Sequence, residues 1–160
     1  MKRILSFLRR LLFYLFGLAL FIVAIVSFQT RYRMYKYYSD PQSYCVVTAY
    51  INNIYYDNNY AVFHFSFDST YSEFGSDQDF KVSGKNYKVM MQNGFEDQIK
   101  IGDQVTFVVA TNVFFDGYAL PIIAISSNST NYLDQDVGRD NLLSSIWFKT
   151  PLWRTQSANK

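Results

Sequence analysis

The stretch RRLLFYLFGLALFIVAIVSFQTRYR, residues 9–33, decides how the rest of the chain is read. Residues 11–28 are 18 consecutive positions without a charge. At about 1.5 Å rise per residue they reach roughly 27 Å, close to the hydrocarbon thickness of a bilayer. Arg9 and Arg10 stand at one end and Arg31, Arg33 and Lys36 at the other, where lipid headgroups would lie. A cleaved secretory signal has a shorter apolar core, about 7–15 residues, and small residues at its exit. Here the exit reads Ile25-Val26-Ser27-Phe28. Residues 11–28 are therefore expected to remain as a single transmembrane helix, a signal-anchor that places the protein in the cell membrane.

The flank at residues 1–10 carries Lys2, Arg3, Arg9 and Arg10, one basic residue more than the three that follow the helix. Basic residues favour the cytoplasmic side, so the N-terminus is expected inside and the C-terminal domain outside, periplasmic or extracellular. Residues 29–42 interleave Tyr32, Tyr35, Tyr37 and Tyr38 with Arg and Lys and read as a juxtamembrane stalk. Tyrosine and arginine suit that position because each joins an apolar body to a polar tip. Ser39-Asp40-Pro41 then stops any helix, since the residue before proline avoids the α conformation.

From residue 43 the apolar period becomes two, with β-branched and aromatic residues enriched, which predicts strands. Residues 44–54 form the first, and the turn Asp57-Asn58-Asn59 leads into YAVFHFSF. There Phe63, Phe65 and Phe67 share one face while Val62, His64 and Ser66 share the other. After an acidic loop, TYSEFGSDQD at residues 70–79, FKVSGKNYKVMM reads as a strand pair folded at Ser83-Gly84-Lys85-Asn86 and closed by Asn93-Gly94. IKIGDQVTFVVATNVF follows, with a turn at Gly102-Asp103 and Val105, Phe107 and Val109 on one face. Asp116-Gly117 is a strong hairpin signal. Residues 118–126 return as the last strand, Pro121 marking an edge or bulge.

This succession of strands, with I-x-I-G-D-x-V-x-F entering a later one, resembles small Greek-key barrels of the OB type over residues 43–126. The likeness implies a closed, OB-like β-barrel domain at residues 43–134, a β-sandwich being the alternative, and it implies no particular activity. A short C-terminal helix is predicted over residues 137–149, within a unit spanning residues 135–149, capped by Asp136 and carrying the stripe Leu142, Leu143, Ile146 and Trp147. A tail, residues 150–160, contains Trp153, which with Trp147 makes the only tryptophans of the chain. They mark a candidate contact for a partner or for the membrane surface.

The net charge of +2 hides an uneven distribution. Residues 41–148 hold five Lys and Arg against twelve Asp and Glu, a net of −7. Such a domain cannot neutralise phosphates along a backbone, so no nucleic-acid partner is expected. The one cysteine, Cys45, makes no internal disulfide, and its setting in Tyr44-Cys45-Val46-Val47 reads as strand filler. The one histidine, His64, stands among phenylalanines without other imidazoles or thiols to share a zinc ion.

Carboxylates gather at Glu73, Asp77 and Asp79 and again at Asp134 and Asp136, but the loop lacks the twelve-residue EF-hand order. Gly-rich phosphate loops, Ser-centred elbows and His-Glu helix motifs are missing from the sequence. No metal, cofactor or enzymatic activity is expected. Asn128-Ser129-Thr130 matches a glycosylation acceptor, which matters only in a glycosylating host.

The function expected is that of a non-catalytic protein-interaction module in a cell-envelope assembly, immunity or exclusion roles included, whose partner is another envelope protein. The alternative is a tethered glycan or small-ligand binder. It would use Tyr55, Tyr56, Tyr60, Phe114, Phe115 and Tyr118, aromatics at neighbouring loop ends, as a stacking surface.

Overall fold

The computed structural model describes residues 2–67, 78–111 and 119–148. The first element, α1 (Lys2–Ser39), is one continuous helix of 38 residues, about 57 Å long. Its apolar part has a mean hydropathy of 2.7 and none of it is buried against the protein. Below Phe28 the pattern changes. Ser27, Thr30, Arg31, Met34, Tyr37 and Tyr38, spaced by three and four, are the partly or fully buried positions and form one docked stripe. The stretch read as a stalk is thus mostly helix, built into the domain. Asp40, extended at ψ 119°, ends it as a residue before proline must. Its carboxylate accepts from the Gln42 N–H at 2.9 Å and opens a single 3₁₀ turn (Pro41–Ser43).

Six strands follow, all in one sheet: β1 (Tyr44–Asp57), β2 (Tyr60–Ser66), β3 (Phe80–Ser83), β4 (Gln104–Ala110), β5 (Leu120–Ser127) and β6 (Thr130–Leu133). Their order is β3-β2-β1-β4-β5-β6, antiparallel throughout, with one further pairing in which β3 runs parallel to β5 through Phe80↔Leu120 and Lys81↔Pro121. The long strand β1 serves two neighbours. Its first half pairs with β4, Tyr44↔Ala110 to Tyr50↔Gln104, and its second half with β2, ending at Asp57↔Tyr60.

The register of β1 shifts between Ile51 and Asn53. Val47, Ala49 and Ile51 face the core before this bulge, and Ile54 and Tyr56 pack on it afterwards, so one extra residue reverses the alternation. The core is aromatic. Phe65 stacks on Phe107 at 4.3 Å between ring centroids, and Phe63, Phe80 and Phe95 complete it with Ile122, Ile125 and Leu133. Phe63, Phe65 and Phe67 share the inward face of β2, as their spacing requires.

The segment read as a strand pair at residues 80–91 is half strand and half helix. β3 stops at Ser83, Gly84 turns the chain at φ 62°, and α2 (Lys85–Gln92) follows, then α3 (Phe95–Gln98). Alternation and helical periodicity are indistinguishable over so short a run. Burial of Asn86 and Met90, four apart, decides for the helix, and Gly94 closes α2 in the left-handed conformation at φ 79°. The strand expected at residues 118–126 is β5, and a further strand, not expected from the sequence, follows it: β5 and β6 form a hairpin through Asn128 (φ 49°) and Ser129 (φ 68°), both in the left-handed region that such two-residue turns demand.

The C-terminal helix α4 (Gln135–Phe148) begins earlier than its sequence suggests. Asp134, not Asp136, caps it: the Asp134 carboxylate accepts from the N–H groups of Asp136 at 3.0 Å and Val137 at 3.4 Å. Asp136 instead pairs with Arg139 at 3.3 Å. Ile146 is buried with Tyr38 and Ala110, and Leu142 and Leu143 pack beside them. This second, smaller core joins α1, β4 and α4.

Candidate functional site

Two surfaces gather the aromatic residues that the sequence brings forward. The first lies on the outward face of β1 and β2. Tyr55 is exposed and its ring centroid is 6.4 Å from that of Tyr60. The two sit diagonally across the ladder, since Tyr55 opposes Val62. The Lys81 ammonium lies 3.8 Å over the Tyr60 ring, and the Tyr60 hydroxyl donates to the Asp57 carboxylate. Asp57 is held below the usual carboxylate range by the Asn58 N–H first and by Tyr60 next, while the Tyr60 hydroxyl is pushed up by that same bond.

Tyr56 does not share this face. Successive residues of a strand point to opposite sides, and Tyr56 packs on the core opposite Ala61. Burial, with Glu96 and Tyr87 nearby, pushes its hydroxyl up from 10.0 to about 12. Among the described residues of the proposed stacking surface, Tyr55 and Tyr60 therefore meet and Tyr56 does not join them, and the ammonium of Lys81 occupies one face of Tyr60. Phe114, Phe115, Tyr118 and Trp153 lie outside the described residues, as do Glu73, Asp77 and the Asp116-Gly117 turn.

The second surface is a joint between α1 and α4. Trp147 packs between Phe28 at 5.9 Å and Tyr35 at 6.0 Å, and the Arg31 guanidinium donates to the Trp147 carbonyl at 3.1 Å. Residues 28, 31 and 35 fall on one face of α1 by their spacing. Arg31 places its charge at the C-terminal end of α4, where carbonyls lack helical partners and the macrodipole favours a cation. Phe28 is the last apolar residue before Gln29, Thr30 and Arg31, so Trp147 sits at the level where the apolar stretch ends.

Deeper in this region the Tyr44 hydroxyl donates to the Tyr38 carbonyl at 2.7 Å, and burial first, then Tyr38, raises its pKa. Tyr37 and Thr111 hydroxyls meet at 2.8 Å. These contacts fasten the lower half of α1 to β1 and to the end of β4.

The sequence also singles out the one histidine and the one cysteine. His64 Nδ1 lies 3.0 Å from Asp79 Oδ1, both groups close to half exposed. Cys45 is half-buried on β1 and packs on the core. Among the described residues no three His, Cys, Asp or Glu side chains gather as a metal site would require. Sequence reasoning singled out the tyrosines but passed over Lys81 as a partner and read Phe28 and Arg31 only as the edge of the span; they become partners once β3 pairs with β2 and α4 folds back on α1. Compared with known protein families, curated proteins and solved structures, the chain matches none.

Proposed function

We propose that the chain is a single-pass membrane protein that holds a small acidic β domain at the membrane surface as a non-catalytic interaction module of a cell-envelope assembly. The observation that carries this reading is the division of labour within α1. The apolar window of its uncharged stretch has no buried residue and meets the domain only in its last turn, at Ser27 and Phe28, while the helix continues without a break into a stripe packed on the sheet and on α4. A domain so fastened has a defined height and orientation above the bilayer, which suits docking to another membrane-bound protein better than capture of freely diffusing substrates. Trp147 beside Phe28 supports a position at the interface, where tryptophan is enriched.

The ring of pairings β1–β2–β3–β5–β4–β1 supports closure of the sheet as an OB-type Greek-key barrel, with β6 as an added strand, rather than a two-layer sandwich. The single His and single Cys support a non-catalytic role. The slight excess of basic residues before the helix supports an inside N-terminus and a domain outside the cytoplasm. A second reading, glycan binding, draws among the described residues on exposed Tyr55 and its half-buried neighbour Tyr60. Unchanged binding to isolated cell-wall material after both are replaced by Ala would eliminate it.

Topology tests the main reading. Cys45→Ser removes the native thiol and Asn58→Cys places one in the exposed turn between β1 and β2. A membrane-impermeant maleimide applied to intact cells, with any outer membrane permeabilised, is expected to label this variant. Labelling only after lysis would put the domain in the cytoplasm and remove the envelope reading. Crosslinking in the same cells is expected to trap a reproducible membrane-protein partner, and recovery of none would sink the interaction module.

A further inference from the structure

We propose that the cavity at the β3–α2 turn binds a small phosphate ester bearing free hydroxyl groups, of the glycerol phosphate type. The cavity measures about 290 Å³ and lies between the ends of β3 and β5, the first turn of α2 and the middle of α4. That is the small end of the roughly 300–1,000 Å³ typical of ligand sites. It is separate from the joint at Trp147, shares only Lys81 with the rim of Tyr55 and Tyr60, and does not depend on the function proposed above.

Three features define the ligand. The first is charge. Lys85 and Lys81, two of the five basic residues in an otherwise acidic domain, both line the cavity, Lys81 with its ammonium also over the Tyr60 ring, and no carboxylate lines it. The second is the start of α2. Gly84 precedes it with no side chain to cap the first turn, and its position faces open space. The opening N–H groups of an uncapped helix and its positive dipole end favour an anion.

The third is Asn86. It is only 6% exposed, its Nδ2 donates to the Gly138 carbonyl at 2.9 Å, and its Oδ1 is buried without a partner. An unmet buried acceptor costs about 1–3 kcal/mol and requires a donor, which a bare phosphate dianion lacks and a hydroxyl supplies. Ser144 and Ser145, also on the wall, already donate to the carbonyls of Asn141 and Leu142, which leaves their oxygens to accept further hydroxyl protons. Cations with an uncapped helix end, next to acceptors awaiting O–H donors, match a ligand that is both phosphate and polyol.

The same chemistry occurs in free glycerol phosphate and in the headgroup of phosphatidylglycerol. The test uses the full chain in phosphatidylcholine nanodiscs, with binding of glycerol 3-phosphate followed by calorimetry and by amide shifts at Gly84, Lys85 and Asn86. Saturable binding is expected, about tenfold or more tighter than inorganic phosphate and lost by a similar factor in Lys81→Gln/Lys85→Glu. Lys85 is exposed, so Lys85→Glu alone is expected to keep the thermal stability of the parent while weakening binding, whereas Lys81→Gln also gives up the contact with the Tyr60 ring.

Nanodiscs containing phosphatidylglycerol separate the two sources. Shifts at the same amides and loss of glycerol phosphate binding would assign the lipid headgroup, and unchanged glycerol phosphate binding would assign the free ligand. Neither shifts nor saturation with either probe, or binding indifferent to the lysine changes, would overturn the proposal.

Discussion

Gly138 shows how strictly one position can be determined by its surroundings. A Cβ built there would lie 1.8 Å from the Ile123 carbonyl oxygen, so α4 rests on β5 with no room for any side chain. Gly138→Ala must lift the helix, and the expected loss is about 3 kcal/mol or more, comparable to severe overpacking. Thermal unfolding in detergent would register it as a lower midpoint, and an unchanged midpoint would mean that the helix does not seat here. Tyr56 makes a prediction of a different kind. Its hydroxyl has a folded pKa of about 12 against an ordinary 10.0, because burial and Glu96 disfavour the anion. Between these values the unfolded chain has released the proton and the folded chain has not, so stability falls as pH rises from 10 toward 12. Tyr56→Phe removes that contribution, while Tyr44, also raised by burial, retains its own. Alkaline titration of unfolding should therefore show a shallower loss for the variant, and identical profiles would contradict the burial of this hydroxyl.

At the scale of elements, the joint of α1 with α4 combines the buried cluster around Tyr38 and Ile146 with contacts at Trp147, where Arg31 donates to its carbonyl and Phe28 and Tyr35 flank its ring. Truncating Trp147 to Ala should cost about 1–3 kcal/mol locally and accelerate amide exchange in the last two turns of α4, with the sheet unaffected. Equal acceleration throughout the domain would instead make the joint part of the global core. Sequence alone locates both helices because their signals are strong: the apolar segment at residues 11–28, and a capping aspartate before an apolar stripe. It misplaces that cap by two residues, since Asp134 and Asp136 are chemically equivalent candidates and only the backbone decides. It misreads residues 85–92 because Tyr87, Val89 and Met91 alternate as a strand would, while Asn86 and Met90 repeat as a helix does. Strand faces are legible where alternation is unbroken, as in β2, and fail in β1, where the bulge beside Asn52 turns Tyr56 inward and Tyr55 outward. The joint and the cavity were not legible, because each forms from residues far apart in the chain, Phe28 with Trp147 and Asn86 with Gly138.

For the whole molecule, the placement of the domain rests on residues 11–28 acting as a transmembrane span, and the energetics of that span are open to direct attack. An Arg at the centre of a membrane helix costs about 2.5–3.5 kcal/mol, so Leu20→Arg with Ile22→Arg costs about 5–7 kcal/mol in a segment that has no residues to spare in length. Both side chains project from the bare part of α1, so the changes leave the packed core alone. Alkaline extraction of membranes is expected to retain the parent chain and to release the double variant. Val46→Arg is the matched control, adding the same charge at an exposed strand position of the domain, and it should stay with the membrane. If the parent were itself extracted, α1 would lie on the surface rather than span, and the domain's fixed height, which follows from the continuity of this helix with the stripe ending at Tyr38, would lose its anchor. Retention of the parent with release of the double variant would make the helix both the span and the strut that sets where Tyr55, Lys81 and the α2 cavity stand above the bilayer.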